Sequence, residues 1–267
     1  MGLYAFRVNT FSLLDTVAKQ PLPLLILDFD GTVCLGDGPV LAYADAAATF
    51  LPESARQELK DAVDAFLSHD PEAAAYKDGY AAVAALAGTR VSHEQLDWAY
   101  AESRRRLASG EVEISTAPGL ASFLESLSGK VLRVLLTNAP VIGVHESLTK
   151  LGLADVVDAV VPEAGKPENF TPLLTTLLAH RAPYELMSVG DVWLNDIEPA
   201  LRAGCATAFI DRFEHRTGAA NLSATHFELL YPGITAWASH PEKFSTVHPS
   251  STNHPDNAAP LPEKAQL

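Results

Sequence analysis

Two aspartates stand one residue apart directly behind a short apolar run: Leu24-Leu25-Ile26-Leu27 is followed by Asp28-Phe29-Asp30-Gly31-Thr32. Successive side chains of an extended chain point to opposite faces, so Asp28 and Asp30 point one way and Phe29 the other. Carboxylates this close repel unless a cation joins them or one of them keeps its proton. Gly31 and Thr32 permit a sharp turn whose free N–H groups can receive an anion. The same residues also read as a capped turn with two solvated aspartates, because short motifs recur by chance.

Three later segments change that balance. Leu135-Leu136-Thr137-Asn138 ends an apolar run in a hydroxyl and an amide; Gly165-Lys166-Pro167 offers a cation in a segment otherwise poor in them. Ser188-Val189-Gly190-Asp191 ends a further run, and Asp196 follows five positions later. Each has an ordinary reading, as a helix entry, a loop lysine, or helix-start aspartates favoured by the macrodipole. In sequence order, however, successive apolar runs end in carboxylates, a hydroxyl, an amine and carboxylates. Coincidence explains that series poorly.

The elements that must position these groups follow from the hydrophobic pattern. Apolar runs at Leu24–Leu27, 131–136, 156–161, 186–189 and Ala206–Ile210 predict short strands buried on both faces. Helical spacing precedes the later ones: Leu120, Phe123, Leu124 and Leu127 before Gly129, then Leu173, Leu174, Leu177 and Leu178 behind Pro172, then Ile197, Ala200 and Leu201 before Gly204. Such alternation predicts a parallel sheet with helices on both faces, which takes its ligands at the carboxyl ends of the strands. Between 35 and 116 the pattern turns Ala-rich and helical. Ala55, Leu59, Ala62, Val63, Phe66 and Leu67 make one stripe, Asp70-Pro71-Glu72 opens a second helix, and Ser92-His93-Glu94-Gln95 is a capping box for a third. The fold class is therefore α/β, a Rossmann-like parallel-sheet core over 1–34 and 117–238 with an α-helical module inserted at 35–116. The Pro-, Ser- and Asn-rich stretch 239–267 is expected to be a disordered tail.

The ordered set DFDGT, LLTN, GKP and GDVWLND resembles the four motifs of the haloacid dehalogenase-like (HAD) superfamily, with the 35–116 module in the place of that family's helical cap. The resemblance spans roughly Leu22 to Trp237. It implies a magnesium-dependent phosphatase acting on a small phosphorylated metabolite through an aspartyl-phosphate. Asp28 then matches the nucleophile and Asp30 the general acid/base, whose main-chain carbonyl also faces the metal. Thr137, Asn138 and Lys166 match the phosphate-binding set, and Asp28, Asp30 and Asp191 the magnesium site. Asp196 matches a supporting carboxylate, water-bridged or paired with the lysine. An aspartate at position 30 speaks against a dehalogenase and a phosphonate hydrolase. A phosphomutase acting on a sugar phosphate shares every one of these residues, and a non-catalytic phosphometabolite-binding protein could keep the fold without turnover. Glu168-Asn169, where relatives often carry Asp-Pro, and Cys34-Leu35, where many carry Asp-Ser, depart from the family pattern.

Charge bounds the partners. The chain has 267 residues, 19 Lys+Arg against 33 Asp+Glu, and a net charge of −14. That excess speaks against nucleic acid and anionic membranes as partners. An anionic substrate needs a local cation to overcome it, which a magnesium ion and Lys166 would supply. Two cysteines, Cys34 and Cys205, make no disulfide framework, and no basic leader or long apolar run is present, so a cytoplasmic location is expected. Arg104-Arg105-Arg106 reads as a solvated face, His93 and His145 as structural or exposed, Gly36-Asp37-Gly38 as a hinge or an ordinary loop, and Trp193 as a shield of the metal site or as packing.

Overall fold

The computed structural model describes residues 10–68, 70, 76–214 and 218–250. In chain order the elements are α1 (Thr10–Ala18), β1 (Leu24–Leu27), α2 (Gly38–Ala48), α3 (Glu53–Leu67), α4 (Gly79–Ala87), α5 (His93–Ser109), α6 (Leu120–Ser126) and β2 (Leu132–Leu136). They continue with α7 (Val144–Lys150), β3 (Ala159–Val161), α8 (Phe170–Leu177), β4 (Leu186–Gly190), α9 (Glu198–Arg202), β5 (Ala206–Ile210), β6 (Leu222–Ala224), α10 (Tyr231–Ser239) and α11 (Pro241–Val247). The described residues of Met1–Val33, Ala117–Ala139 and Asp155–Thr252 form one compact unit, and those of Cys34–Thr116 and Pro140–Ala154 a second.

The first unit is a Rossmann-like α/β layer. Its six strands run β3-β2-β1-β4-β5-β6, and every neighbouring pair is parallel. All four residues of β1 are buried, which is why an unbroken Leu-Leu-Ile-Leu run suits the centre of a sheet covered on both faces. The chain leaves β1 for β2 on one side and returns to β4 on the other. Strand order therefore reverses beside β1, and the crevice where such sheets bind ligands opens at the carboxyl ends of β1 and β4. Asp28 and Asp191 are the residues that leave those two strands.

The sheet's core shows why some elements escaped the sequence reading. Helix α1 joins it: Leu14 and Val17 pack with Leu24, Ile26, Phe170 and Leu174, while the Arg181 guanidinium donates to the carbonyls of Val17, Gln20 and Leu22 at 3.3, 3.0 and 3.4 Å. Strand β3 is shorter than the 156–161 run; Asp158, just before it, donates its N–H to Arg133 O at 2.8 Å and turns its carboxylate onto Arg133 as well. Strand β6 is a half-exposed three-residue edge with no apolar run to announce it.

The expected tail needs correction in its first part. Residues 241–247 form α11, anchored by buried Phe244, which stacks on His248 at 4.2 Å, and by Asn221 donating to the His248 carbonyl at 2.6 Å. The aromatic anchor, the Asn221 bond and Pro241 in the first turn outweigh the polar composition around them. Residues 251–267 lie outside the described residues.

The Arg133–Asp158 pair links β2 to the entry of β3. Arg133 Nε and Nη2 donate to the two Asp158 oxygens at 2.8 Å each, Arg133 N adds a third bond at 2.8 Å, and Nη1 donates to Leu124 O at 2.9 Å. Burial by itself would raise the Asp158 pKa, but these hydrogen bonds and the guanidinium charge outweigh it and hold the carboxyl below its ordinary value. A depressed folded-state pKa contributes stability that is present above the unfolded carboxylate pKa and lost as pH falls through the folded one. Asp158→Asn should accordingly destabilise the protein by about 2 kcal/mol at pH 7, discounted for the partial exposure of the carboxylate. The gap from the parent should begin to narrow below about pH 4 and close as pH falls through the lowered folded-state value. Urea unfolding of both proteins from pH 7 to pH 3 measures it, and a pH-independent gap would contradict the assignment.

The second unit is helical. Val40, Tyr43, Ala47, Leu59, Val63, Val83 and Ala99 centre its core, and the small residues of α2 let α5 lie close against it. The capping box of α5 forms as its sequence predicts: Ser92 Oγ accepts from Gln95 N at 3.3 Å and the Gln95 side chain accepts from Ser92 N at 2.9 Å. Of the helix start expected at 70–72, only residue 70 is among the described residues. Residues 71–75 lie outside the described residues, and Asp78 caps α4 by accepting from Ala81 N at 2.7 Å. The expected 36–38 loop runs straight into α2 at Gly38, and Leu35 and Ser115 exchange backbone hydrogen bonds of 2.8 and 2.9 Å.

Arg104 overturns the expectation of a solvated arginine run. It is fully buried, donates to the Tyr80 hydroxyl at 2.6 Å, and lies over the Tyr80 and Tyr100 rings at 5.2 and 5.0 Å. Position 104 follows Tyr100 by one helical turn and so shares its inward face, while Arg105 and Arg106 pair outside with Glu102. Helix α7, which the alternating pattern places in the α/β core, groups with this unit. Gly143 brings it within close approach of Arg104 O, and Lys150 Nζ donates to Val112 O at 3.0 Å. His93 and His145 are both exposed. Among the described residues no helix is long and apolar enough to cross a membrane.

Candidate active site

The site assembles at the carboxyl end of β1. Asp28 leaves the strand with its N–H donating to Val189 O at 3.0 Å, so the ladder to β4 fixes the backbone of the first carboxylate. The Lys166 ammonium donates to Asp28 Oδ1 at 2.7 Å and to Asp196 Oδ1 at 2.6 Å. Lys166 is 138 residues from Asp28 in sequence, and both carboxylates and the amine are buried. Asp196 is the lysine-paired of the two arrangements open to it. Its Oδ2 also accepts from Val192 N at 3.1 Å, and its carbonyl accepts from Ser188 Oγ at 2.7 Å.

The electrostatics follow from that crowding. Burial, opposed by Lys166 and reinforced by the Asp196 and Asp30 charges, pushes the Asp28 pKa up to about 7. For Lys166, burial alone would favour the neutral amine. The adjacent Asp196 and Asp28 carboxylates outweigh it and keep the ammonium charged above its ordinary range. Asp30 is near enough to act on Asp28 through its charge, and its side chain is only partly buried.

Oxygens of Asp28, Asp191 and Asp196 lie within 4.8 Å of one another. The donors that could hold a hard divalent cation are the carboxylates of Asp28, Asp191 and Asp196, of which Asp28 and Asp196 each give one oxygen to Lys166. An all-oxygen set with few carboxylates suits magnesium, which keeps several waters and substrate oxygens in its shell.

Two glycines make the gathering possible. Gly31 has φ +80°, and a Cβ there would come to 2.0 Å from Asp191 Oδ2. A Cβ on Gly190 would stand 2.4 Å from the Cβ, Cγ and Oδ2 atoms of Asp196. Gly190→Ala is therefore expected to displace Asp196 from Lys166. It should lower the melting temperature by several degrees, on the order of 1–3 kcal/mol of overpacking. Thermal melts of parent and variant check this, and an unchanged melting temperature would contradict the close approach.

Thr137 and Asn138 stand at the neighbouring end of β2. Thr137 is buried, and its Oγ1 accepts from Ala139 N at 3.0 Å, which leaves the hydroxyl proton for another acceptor. The Asn138 carboxamide meets the main chain of Lys166 on both of its polar atoms, Nδ2 to Lys166 O and Oδ1 from Lys166 N, each at 2.7 Å. Trp193 packs edge-on against Phe209 with centroids 5.4 Å apart, and Gly218 lies so close that a Cβ would reach 2.1 Å from the indole. Packing, the second of its two readings, accounts for these contacts.

Sequence reasoning overlooked Ser188 and the close-approach role of Gly190. A hydroxyl inside the otherwise apolar Leu-Met-Ser-Val run is an available signal for Ser188, because a polar group in a strand buried on both faces needs a partner. No sequence signal points to the contact at Gly190, which depends on the turn after Asp191.

No protein-family model matches the chain, and no curated protein matches it. Solved structures do match. A predicted phosphoglycolate phosphatase from Haemophilus somnus aligns with a TM-score of 0.54 at 16% identity, over 81% of this chain and 99% of that one. A magnesium-bound HAD hydrolase from Bacillus subtilis aligns with a TM-score of 0.53 at 13% identity, over 80% and 98%. A HAD phosphatase from Thermococcus onnurineus aligns with a TM-score of 0.50 at 17% identity, over 80% and 98%. The chain has the fold of the haloacid dehalogenase-like hydrolases.

Proposed function

We propose that this chain is a magnesium-dependent phosphatase that hydrolyses a small phosphorylated metabolite through an aspartyl-phosphate on Asp28. The observation that carries the reading is one ammonium bonded to two buried carboxylates, with a third carboxylate within 4.8 Å, at the reversal point of the sheet. The fold alone houses several hydrolytic reactions, so the choice rests on these residues. Asp30, two positions beyond the nucleophile, supplies the acid that a phosphomonoester needs for its leaving oxygen.

Asp28 Oδ attacks phosphorus, and the bond from phosphorus to the ester oxygen breaks. Asp30 gives its proton to that oxygen, and the alcohol departs. Asp30, now a base, takes a proton from water, whose oxygen attacks phosphorus and releases inorganic phosphate and the Asp28 carboxylate. Lys166 keeps Asp28 oriented and offsets charge on the transferring group, and the Thr137 proton is free to bond a phosphoryl oxygen. Magnesium bound by Asp28, Asp191 and the Asp30 carbonyl would supply the remaining positive charge. Phosphate release from a panel of phosphomonoesters tests the reading: hydrolysis of at least one, lost on chelation and restored by magnesium, is expected. Absence of release across the panel, or isomerisation of a sugar phosphate without net release, would overturn it.

A further inference from the structure

We propose that Asn138 is a positioning residue for Lys166, fixing the ammonium at Asp28 through the lysine's main chain. This inference rests on the reading of Lys166 as the cation of a phosphoryl site. A flexible four-carbon stem separates the Lys166 backbone from its Nζ, so two bonds of 2.7 and 2.6 Å require the backbone to be held independently. The loop that carries it is not regular structure: Glu163 and Gly165 have φ of +51° and +66°. What holds it is the end of β2. Thr137 N donates to Val161 O at 3.0 Å, Ala164 N to Thr137 O at 2.9 Å and Glu163 N to Ala139 O at 3.0 Å, which carry the β2–β3 pairing beyond both strands.

Asn138 closes the series. Its carboxamide occupies the N–H and the C=O of Lys166 together, as another strand residue would, at 2.7 Å on each side. Beyond Ala164 a side chain takes over from backbone pairing, since the Lys166 N–H and C=O bond to the Asn138 carboxamide. A side chain with one donor and one acceptor at fixed spacing can do this, and among short side chains Asn meets that need. Serine has one polar atom, and aspartate would set a carboxylate against the Lys166 carbonyl. The amide that the sequence motif places with phosphate thus acts on the phosphate site through the lysine.

The test has two independent readouts. Hydrogen exchange at the Lys166 amide should quicken about tenfold or more in Asn138→Ala, while the amides of Leu135 and Val189 keep the parent rate. With the best phosphomonoester and magnesium, Asn138→Ala should lower kcat about 10- to 100-fold and change KM less than about threefold, with an unchanged melting temperature. In a Lys166→Met background the same replacement should change kcat less than about threefold, since both act through one group. Lys166→Arg serves for the cycle if the methionine variant does not fold. Unchanged exchange at Lys166, or losses that multiply in the double variant, would overturn the positioning role. Full turnover in the Lys166 variants would instead overturn the phosphatase reading, while the exchange measurement still decides what Asn138 holds.

Discussion

Asp28→Asn is expected to abolish phosphomonoester hydrolysis, by about 10,000-fold or more, and to do so without destabilising the protein. An amide of the same shape keeps the packing at the end of β1 but cannot attack phosphorus. The ionised Asp28 carboxylate is held at a cost, since burial and the Asp196 and Asp30 charges push its pKa up to about 7 despite Lys166. A neutral side chain removes that cost, and Lys166 retains Asp196 at 2.6 Å. The melting temperature of the variant should therefore equal or exceed that of the parent. Phosphate release and thermal melts on the same samples separate the outcomes. Residual turnover within tenfold of the parent would exclude Asp28 as nucleophile, whereas loss of activity with a fallen melting temperature would point to misfolding instead.

Lys166→Met should differ by damaging both properties. Methionine keeps the length of the stem but leaves Asp28 and Asp196 facing each other without a cation, and the Asp196 side chain is only 2% exposed. Removing one partner of a buried ion pair costs about 3–5 kcal/mol, because the remaining charge has neither water nor a counter-ion. Turnover should fall about 100- to 1,000-fold through loss of charge stabilisation at the phosphoryl group. Added magnesium should return part of the stability, since a cation among Asp28 and Asp191 answers the same excess of negative charge. Denaturant unfolding with and without magnesium measures this, and a variant as stable as the parent in both conditions would contradict the arrangement.

The two variants rest on different kinds of information. Asp28 is legible because it ends an unbroken apolar strand, although the carboxylate pair by itself also reads as a capped turn until the later strand ends join it. Lys166 is legible only as one member of an ordered series, since a lone loop lysine has an ordinary explanation. Its distance of 2.7 Å from Asp28 spans 138 residues of sequence, and no local pattern encodes such a contact. The same division runs through the fold. Strands β1, β2, β4 and β5 announce themselves because burial on both faces requires continuous apolar runs. Strand β6 and helix α11 do not, because one is a half-exposed edge and the other depends on the burial of Phe244 and a bond from the distant Asn221.

By itself, the sequence determined the α/β alternation, the helical insertion after β1, and the ordered chemistry at the strand ends, because each of these is written in local periodicity. Tertiary structure alone decided the rest: that Arg104 lies among tyrosines and not in solvent, that Asp196 pairs with the lysine, and that Asn138 grips the backbone of Lys166. All three depend on which surfaces meet after folding. Side-chain type restricts the possible partners, but only packing brings one of them within 3 Å.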